Sequence, residues 1–160
     1  MQLTYTDEAP AAVLGLVTED FYGSFRDTVI PQLPVKTGQL LTADKTAGKA
    51  RNAAKLPTAA AELGKPGAMG FVPLDLTRDK GTADWPANRP LAVLRRGRIW
   101  LLAETELPRW TYPFIRFAGT GVSGSLRNAA VADEAVEFTY GITLTDAEPG
   151  GIVLVEVDLY

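Results

Sequence analysis

The chain of 160 residues is long enough for one domain, which at this size buries roughly 68–70% of the surface that the unfolded chain exposes. Hydrophobic residues make up 46% of it and charged residues 22%, and the 15 Gly and 11 Pro favour many short elements over a few long helices. The absence of Cys and His excludes disulfides, thiolate nucleophiles, Ser-His-Asp machinery and the commonest transition-metal ligands, while the net charge of −3 argues against general nucleic-acid binding.

The beginning of the chain gives no sign of export or membrane insertion. Residues 1–8 are polar and acidic and lack the basic start of a signal peptide. The apolar stretches fall far short of the ~18–20 residues that a membrane-spanning helix needs. We therefore expect a protein that is made in the cytoplasm and does not associate with membranes.

The N-terminal half predicts short strands. Residues 12–17 and 27–30 are apolar or β-branched runs, and residues 39–42 follow a turn that contains Gly38. Residues 70–76 resume the strand pattern after a long interruption. We expect each of these runs to form a strand of one β structure.

Residues 43–67 interrupt that pattern with an Ala- and Lys-biased segment that has few large apolar residues. The segment predicts either a long surface loop or a short helix that is broken before Pro57. Its central part holds four bases and no acid: Lys45, Lys49, Arg51 and Lys55. Residues 129–160 hold seven acids and no base. Both stretches are either charged faces that contact only solvent or electrostatically complementary surfaces. In the second case the basic loop would be attracted to an acidic partner or to an acidic neighbouring copy.

The C-terminal half reads as strands throughout. Residues 91–103 predict a β-hairpin, with two apolar arms around a basic run in which Gly97 supplies the positive φ of a tight turn. Residues 112–117 and 135–144 are rich in aromatic and β-branched residues and predict two further strands.

The last ten residues have the period-two alternation of a half-buried strand that starts after the turn at Gly150 and Gly151. One face carries only apolar side chains, at Val153, Val155, Val157 and Leu159. The opposite face carries Glu156 and Asp158. The sequence therefore predicts which face of this strand packs on the core.

The chain shows no repeat of fixed period and no linker that divides it. We predict an all-β fold, a single-domain β-barrel or jelly-roll-like sandwich over residues 1–160, with a long inserted basic loop around residues 43–67.

Candidate chemistry is sparse. Glu104 and Glu106 imitate the carboxylate pair of a glycosidase in spacing only, and most such acids face solvent, so we expect no catalytic activity, no metal and no cofactor. Trp100 lies among apolar residues and predicts a core position. Trp85 and Trp110 stand beside prolines and charges; each is either an interface anchor or sugar-stacking platform, or a loop residue that folds back as a lid on the barrel.

Four motifs of the C-terminal half, in this order, resemble the structural cement (capsid decoration) proteins of tailed bacteriophages. LAVLRRGRIW at 91–100 is similar to a "vsVlrrGrvwv" hairpin of that family, and YPFIR at 112–116 to a strand that ends in "pvyvR". GSLRN at 124–128 resembles a Gly-rich "G.fr" segment, and AEPGGIVLVEVD at 147–158 resembles the closing strand "a..GGlavvein". The first half matches only loosely, and the family pattern gives residues 43–67 no role.

The resemblance implies a virion structural protein on the outer capsid surface, which bridges major capsid subunits and strengthens the shell. Its partners would be the major capsid protein and further copies of itself, as a dimer or trimer, with neither nucleic acid nor membrane involved. Candidate capsid contacts are the four bases of the inserted loop together with Trp85 and Trp110. A carbohydrate- or receptor-binding β module of a virion is the alternative that the two tryptophans leave open.

Overall fold

The computed structural model describes residues 13–18, 24–65, 67–74 and 84–160, whose regular structure is β apart from one 3-10 turn, Ala60–Leu63. The fold class is all-β, as predicted. The described residues form eleven strands: β1 Val17–Thr18, β2 Phe25–Pro31, β3 Leu40–Ala43, β4 Ala53–Lys55, β5 Ala68–Phe71, β6 Leu91–Leu102, β7 Phe114–Arg116, β8 Leu126–Arg127, β9 Ala135–Glu137, β10 Gly141–Thr143 and β11 Ile152–Asp158.

The larger sheet has the strand order β10-β11-β6-β2-β4-β3-β5, with β1 beside β6. Strand β5 also pairs with β6 through Phe71 and Leu94, so that β6, β2, β4, β3 and β5 close into a ring. All pairings are antiparallel except that of β2 with β4, which is parallel. This ring is the barrel-like half of the fold. Strands β11 and β10 continue the sheet from β6 outside the ring.

Two hydrophobic clusters lie on opposite faces of this sheet. Neighbouring residues of one strand point to opposite faces. Leu40 belongs to the first cluster and Leu41 to the second, and the same holds for Leu94 and Val93. The alternate residues of β11 are buried in the first cluster, as predicted for Val153, Val155, Val157 and Leu159.

The smaller sheet, with the order β8-β7-β9, packs against the first cluster. Ile115 of β7 and Leu126 of β8 are fully buried there together with Leu101 of β6. The two sheets therefore share one core. The extent of the domain, residues 1–160, stays a prediction.

The predicted hairpin at 91–103 is wrong. Strand β6 is continuous over twelve residues, and Gly97 lies inside it with φ of 135°. A Cβ at this position would come within 3.2 Å of Ser24 Cα. Strand β2 pairs with β6 up to Arg96, and β1 pairs with it from Arg98 onward, so Gly97 stands where β6 changes partner rather than where the chain reverses.

The basic run around Gly97 lies in a strand and is paired with acids of the neighbouring strand, instead of lying at a turn. The Arg96 guanidinium lies 3.7 Å from the Asp158 carboxylate, and that of Arg98 lies 2.8 Å from Glu156. Both acids belong to the polar face of β11 that was predicted from its alternation. The charges are satisfied by residues about sixty positions away, which no local pattern reveals.

The segment 43–67 is neither one loop nor a helix. Residues 53–55 form β4, which is inserted between β2 and β3 and buries Ala53 and Ala54. The 3-10 turn follows and buries Leu63. Only residues 44–52, which we call the basic loop, connect β3 to β4 without regular structure.

Other predicted boundaries shift by a few residues. The run 135–144 is divided into β9 and β10 by a turn at 138–140, and the run 12–17 contributes only β1 at its end. Predictions for residues 1–8, 12 and 75–76 lie outside the described residues. Among those described, no helix has the length and apolar character to cross a membrane.

Candidate interaction surface

Among the described residues, the most exposed large aromatic side chains lie in the turn that leads into β7. Trp110 is 66% exposed and Tyr112 is 56% exposed. Residues 108–112, which we call the Trp110 loop, follow Leu107, whose main chain pairs with that of Ala147. An indole in this position lacks the packing contacts that a core position would provide. Exposed aromatic rings of this kind commonly serve as interface anchors, which gain those contacts on binding.

A buried threonine fixes the shape of the Trp110 loop. The Thr143 hydroxyl donates to the Pro108 carbonyl at 2.7 Å and accepts the Thr111 N–H at 3.0 Å. The Thr143 carbonyl accepts the N–H of Trp110 at 2.7 Å. The loop is therefore held to β10 by main-chain groups on both sides of the tryptophan.

Trp110 itself has a strained backbone, with φ of 62°. Positive φ is an outlier for a bulky residue, because its Cβ crowds the following carbonyl oxygen at a cost of about 1–2 kcal/mol. Such strain persists only where surrounding contacts impose it, and it concentrates at functional sites. The turn thus carries an exposed indole at a position where glycine or asparagine would be more stable.

The basic loop carries three of the four bases that were predicted as capsid contacts, and all three are exposed to solvent. Lys45, Lys49 and Arg51 are exposed, and the Lys49 ammonium donates to Gln32 Oε1 at 2.7 Å. Within the described part of the chain no ion pair involves any of the three. Asp44, at the start of the loop, accepts hydrogen bonds from Thr46, which lower the pKa of its carboxyl.

Lys55 differs from the other three because it belongs to β4 and pairs internally. Its ammonium binds the Glu62 carboxylate, which also accepts the Thr58 N–H at 2.6 Å. Burial raises the pKa of Glu62, but the hydrogen bonds from Lys55 and Thr58 outweigh it and hold that pKa below the ordinary value. Lys55 therefore anchors the 3-10 turn to the sheet.

Trp85 is placed as a lid on the barrel. Its main chain forms a bridge with Val35, with hydrogen bonds of 2.7 and 3.0 Å, and its half-buried ring packs against the second hydrophobic cluster. Its indole N–H donates to the Arg89 carbonyl at 3.4 Å. Trp85 and Trp110 thus have different surroundings, and only Trp110 is a largely exposed ring.

Glu104 and Glu106, the two candidate catalytic carboxylates, lie in different surroundings. Glu106 is exposed, whereas Glu104 lies in a buried ion cluster. Arg116 binds Glu104 through two nitrogens, at 2.6 and 3.0 Å, and binds Glu134 through the third at 2.6 Å. Ser125 also donates to Glu104. Burial raises the pKa of Glu104, but hydrogen bonds from Arg116 and Ser125 outweigh that effect and lower it overall.

The grooves of the described surface are shallow. One groove of about 330 Å³ lies between the 3-10 turn and the residues that precede β9, and is lined mainly by alanines. Another of about 230 Å³ lies beside Tyr112 and Tyr140 on the β10 side. No cluster of three or more carboxylates suited to a metal ion occurs among the described residues.

Sequence reasoning missed a second exposed aromatic pair. The rings of Phe25 and Tyr160, each 49% exposed, meet edge to face with centroids 4.7 Å apart. The Arg95 guanidinium lies 4.6 Å from the Tyr160 ring centroid and donates to the Leu159 carbonyl at 3.1 Å. The two aromatics are 135 positions apart, so only the pairing of β2 and β11 with β6 brings them together.

No protein-family model matches the chain, and no curated protein matches it in sequence. Among solved structures, the fold is similar to that of a chain in "The capsid of Myoviridae Phage XM1", with a TM-score of 0.63 at 12% identity over 98% of this chain and 98% of that one. A weaker likeness, to the head fiber gp8.5 N base in bacteriophage phi29, has a TM-score of 0.48 at 14% identity over 85% of this chain and 95% of that one. At 12% identity the first likeness shows a shared fold, and the TM-score of the second is too low to support an argument.

Proposed function

We propose that this protein is a virion structural protein of a tailed bacteriophage, and more specifically a cement protein that binds the outer surface of the capsid and joins major capsid subunits. The observation that carries the proposal is the end-to-end likeness to a chain of a solved phage capsid, over 98% of both chains. The ordered C-terminal motifs support the same class of protein independently of the fold.

The physical design agrees with this role. A cement protein needs a stiff scaffold with contact residues on loops, so that several weak contacts made at once give a high avidity. The closed ring of strands provides the scaffold, and the Trp110 loop and the basic loop provide contacts of different chemistry. Association as a dimer or trimer would place copies of both loops around one capsid symmetry axis.

We further propose that the protein catalyses no reaction. Both oxygens of Glu104 are engaged by Arg116 and Ser125, which leaves this carboxylate without a position for a substrate or an attacking water. Glu106, the second acid of the pair, is exposed and lines neither of the two grooves described above.

The proposal is tested by co-sedimentation of the purified protein with mature capsids of its own phage that lack it. We expect saturable binding, and decorated capsids that withstand higher temperature before releasing DNA than undecorated ones. Protein centrifuged without capsids is the control for self-pelleting. If the protein stays in the supernatant at all capsid concentrations, the cement function is wrong.

The basic loop gives a second expectation. Replacing Lys45, Lys49 and Arg51 with Gln should weaken capsid binding about tenfold at low ionic strength and flatten its salt dependence, because rim charges act mainly through screened attraction. Lys55 is retained since its charge is used internally.

The matched control for that variant removes three exposed bases elsewhere, Lys36, Lys65 and Arg89, so the net charge change is identical. We expect the control to bind nearly as well as the wild type. Equal weakening by both triple variants would mean that net charge, and not the basic loop, governs binding.

A receptor- or carbohydrate-binding module is favoured by one observation only, the exposed pair Trp110 and Tyr112, which has the chemistry of a sugar-stacking platform. Quenching of tryptophan fluorescence by glycans, without affinity for capsids, would support this function over the cement function.

A further inference from the structure

The first half of β2 has an outer edge that nothing in the described chain pairs with. Residues 25–28 pair with β6 on one side, whereas β4 begins to pair on the other side only at Ile30. The Ile30 N–H points to β4 and donates to Asn52 at 2.8 Å. Because main-chain groups alternate in direction along an antiparallel strand, those of Thr28 and Arg26 point outward as well.

This edge is open to solvent. All four residues from Phe25 to Thr28 are exposed, although the Phe25 ring packs on Tyr160. The Asn52 side chain reaches the Thr28 carbonyl at 3.5 Å, and the Thr28 N–H is bonded to the Asp27 carboxylate at 2.8 Å. Open strand edges recruit other strands, and proteins normally cover or blunt them. We call residues 25–28 the open edge of β2.

The surroundings of the open edge are positively charged. The parallel pairing of β4 with β2 places Arg51 and Asn52 next to Thr28, whereas Lys49 is tied to Gln32, which follows the C-terminal end of β2. Arg26 of the edge itself has no ion pair within the described residues. Asp27 does not offset these charges, because Arg95 lies 3.5 Å from its carboxylate.

The charge distribution argues against a second copy as the occupant. Two copies that met edge to edge would bring their basic loops together, and like charges on adjacent strands are destabilising. Most acids of the C-terminal stretch are also engaged within the chain, by Arg98, Arg96, Arg109 and Arg116. The complementary partner is therefore an acidic segment of a different protein.

From these observations we propose that the open edge of β2 is a strand-addition site for an extended, acid-bearing segment of the major capsid protein; this inference rests on the cement function proposed above. Main-chain hydrogen bonds to Arg26 hold the segment, bonds to Thr28 form in exchange for those that it makes with the Asp27 and Asn52 side chains, and the acids of the segment face Arg26 and Arg51. The aromatic pair Phe25 and Tyr160 stands at the start of the edge and offers an apolar contact to the end of the added strand.

The test compares variants of the full chain in co-sedimentation with mature capsids. Thr28→Pro removes an outward N–H and places a ring on the outer edge, while the pairing with β6 is retained. Arg26→Glu reverses the charge at the edge. We expect each to weaken binding about tenfold or more. The controls are Thr28→Val, which keeps the N–H, and Lys65→Glu, which reverses an exposed charge beside Tyr140; both should bind like the wild type.

Hydrogen exchange supplies a readout that does not depend on substitutions. Peptides covering residues 24–31 of the wild type should exchange more slowly when the protein is bound to capsids, because the outward amide of Arg26 becomes hydrogen-bonded. Should Thr28→Pro fail to fold, Arg26→Glu and the exchange data decide.

The outcomes separate the inference from the function on which it rests. Wild-type binding with unaffected Thr28→Pro and Arg26→Glu variants, or with unchanged exchange over 24–31, would overturn the strand-addition site and leave the cement function standing. Absence of wild-type binding would overturn both.

Discussion

Replacing Trp110 with glycine should nearly abolish capsid binding while leaving the protein as stable as the wild type or slightly more stable. The side chain is 66% exposed, so its removal costs little core packing. The backbone there has φ of 62°, which glycine adopts without penalty, so relief of strain should raise the free energy of unfolding by about 1 kcal/mol. An anchoring Trp at the centre of an interface is worth ~2–4 kcal/mol, which is a 30-fold to 1,000-fold loss of affinity.

The measurement pairs capsid binding with urea-induced unfolding of the same variant. Leu33→Ala is the matched control, since Leu33 is also 66% exposed and apolar but lies between β2 and β3. It should change affinity by less than twofold. If Trp110→Gly bound capsids as tightly as the wild type, the strained turn would have no role at the interface and the contact surface would have to be sought elsewhere.

The sequence predicted the strands whose signal is local. Strand β11 alternates strictly, and its buried and exposed faces are those that the alternation predicts. The turn at Gly150 likewise precedes it. These features depend on neighbours within two positions, so a single sequence contains the information needed to find them.

The errors come from interactions between distant parts of the chain. The run around Gly97 has the composition of a turn, but Arg96 and Arg98 are neutralised by acids of β11, so the run remains in a strand. Strand β4 was missed because Ala53 and Ala54 have weak strand propensity and are fixed there by β2 and β3. In both cases tertiary pairing overrides local composition.

The candidate surface was only half predictable for the same reason. Trp85 and Trp110 have similar sequence neighbours, with a proline and charges close by. In the fold, however, the main chain of Trp85 pairs with Val35, whereas that of Trp110 is bonded to Thr143 in an exposed turn. Lys55 resembles the other bases of its segment until Glu62 is placed beside it. Composition identifies which residue types are available for binding, and the fold decides which of them are exposed.

Replacement of Arg116 is expected to lower the free energy of unfolding more than replacement of an exposed charged residue. Arg116 ends the motif YPFIR that carries part of the resemblance to cement proteins, and its side chain, which is 7% exposed, lies between Glu104 and Glu134. Hydrogen bonds from its nitrogens to Glu104 and Glu134 raise the pKa of the guanidinium, so it stays charged at any ordinary pH. The cluster therefore joins β7 to the segment that follows β6, through Glu104, and to the turn that precedes β9, through Glu134.

Substitution Arg116→Met should lower the free energy of unfolding at pH 7 by about 3 kcal/mol, because it removes the main counter-ion of the Glu104 carboxylate and leaves it only Arg127, at 3.5 Å. Arg96→Met is the control: its ion pair with Asp158 has 60% and 52% exposed side chains, and such pairs contribute at most about 1 kcal/mol. Adding Glu104→Leu to Arg116→Met should restore part of the loss, since the Glu104 carboxylate, whose side chain is 18% exposed, is then no longer held in the cluster without Arg116.

The pH dependence should distinguish this charge effect from simple loss of packing. In the wild type the folded-state pKa of Glu104 lies below its ordinary value of 4.5, so its contribution to stability is present above about pH 4.5 and is lost as the pH falls through the folded pKa. In Arg116→Met the hydrogen bonds from Arg116 that lower the pKa of Glu104 are gone, so burial raises that pKa above its wild-type value. Acid should therefore stabilise the variant relative to the wild type. Unfolding curves from pH 7 down to pH 3.5 should therefore show a shrinking difference between the two proteins; a constant difference would mean that Arg116 acts through packing alone.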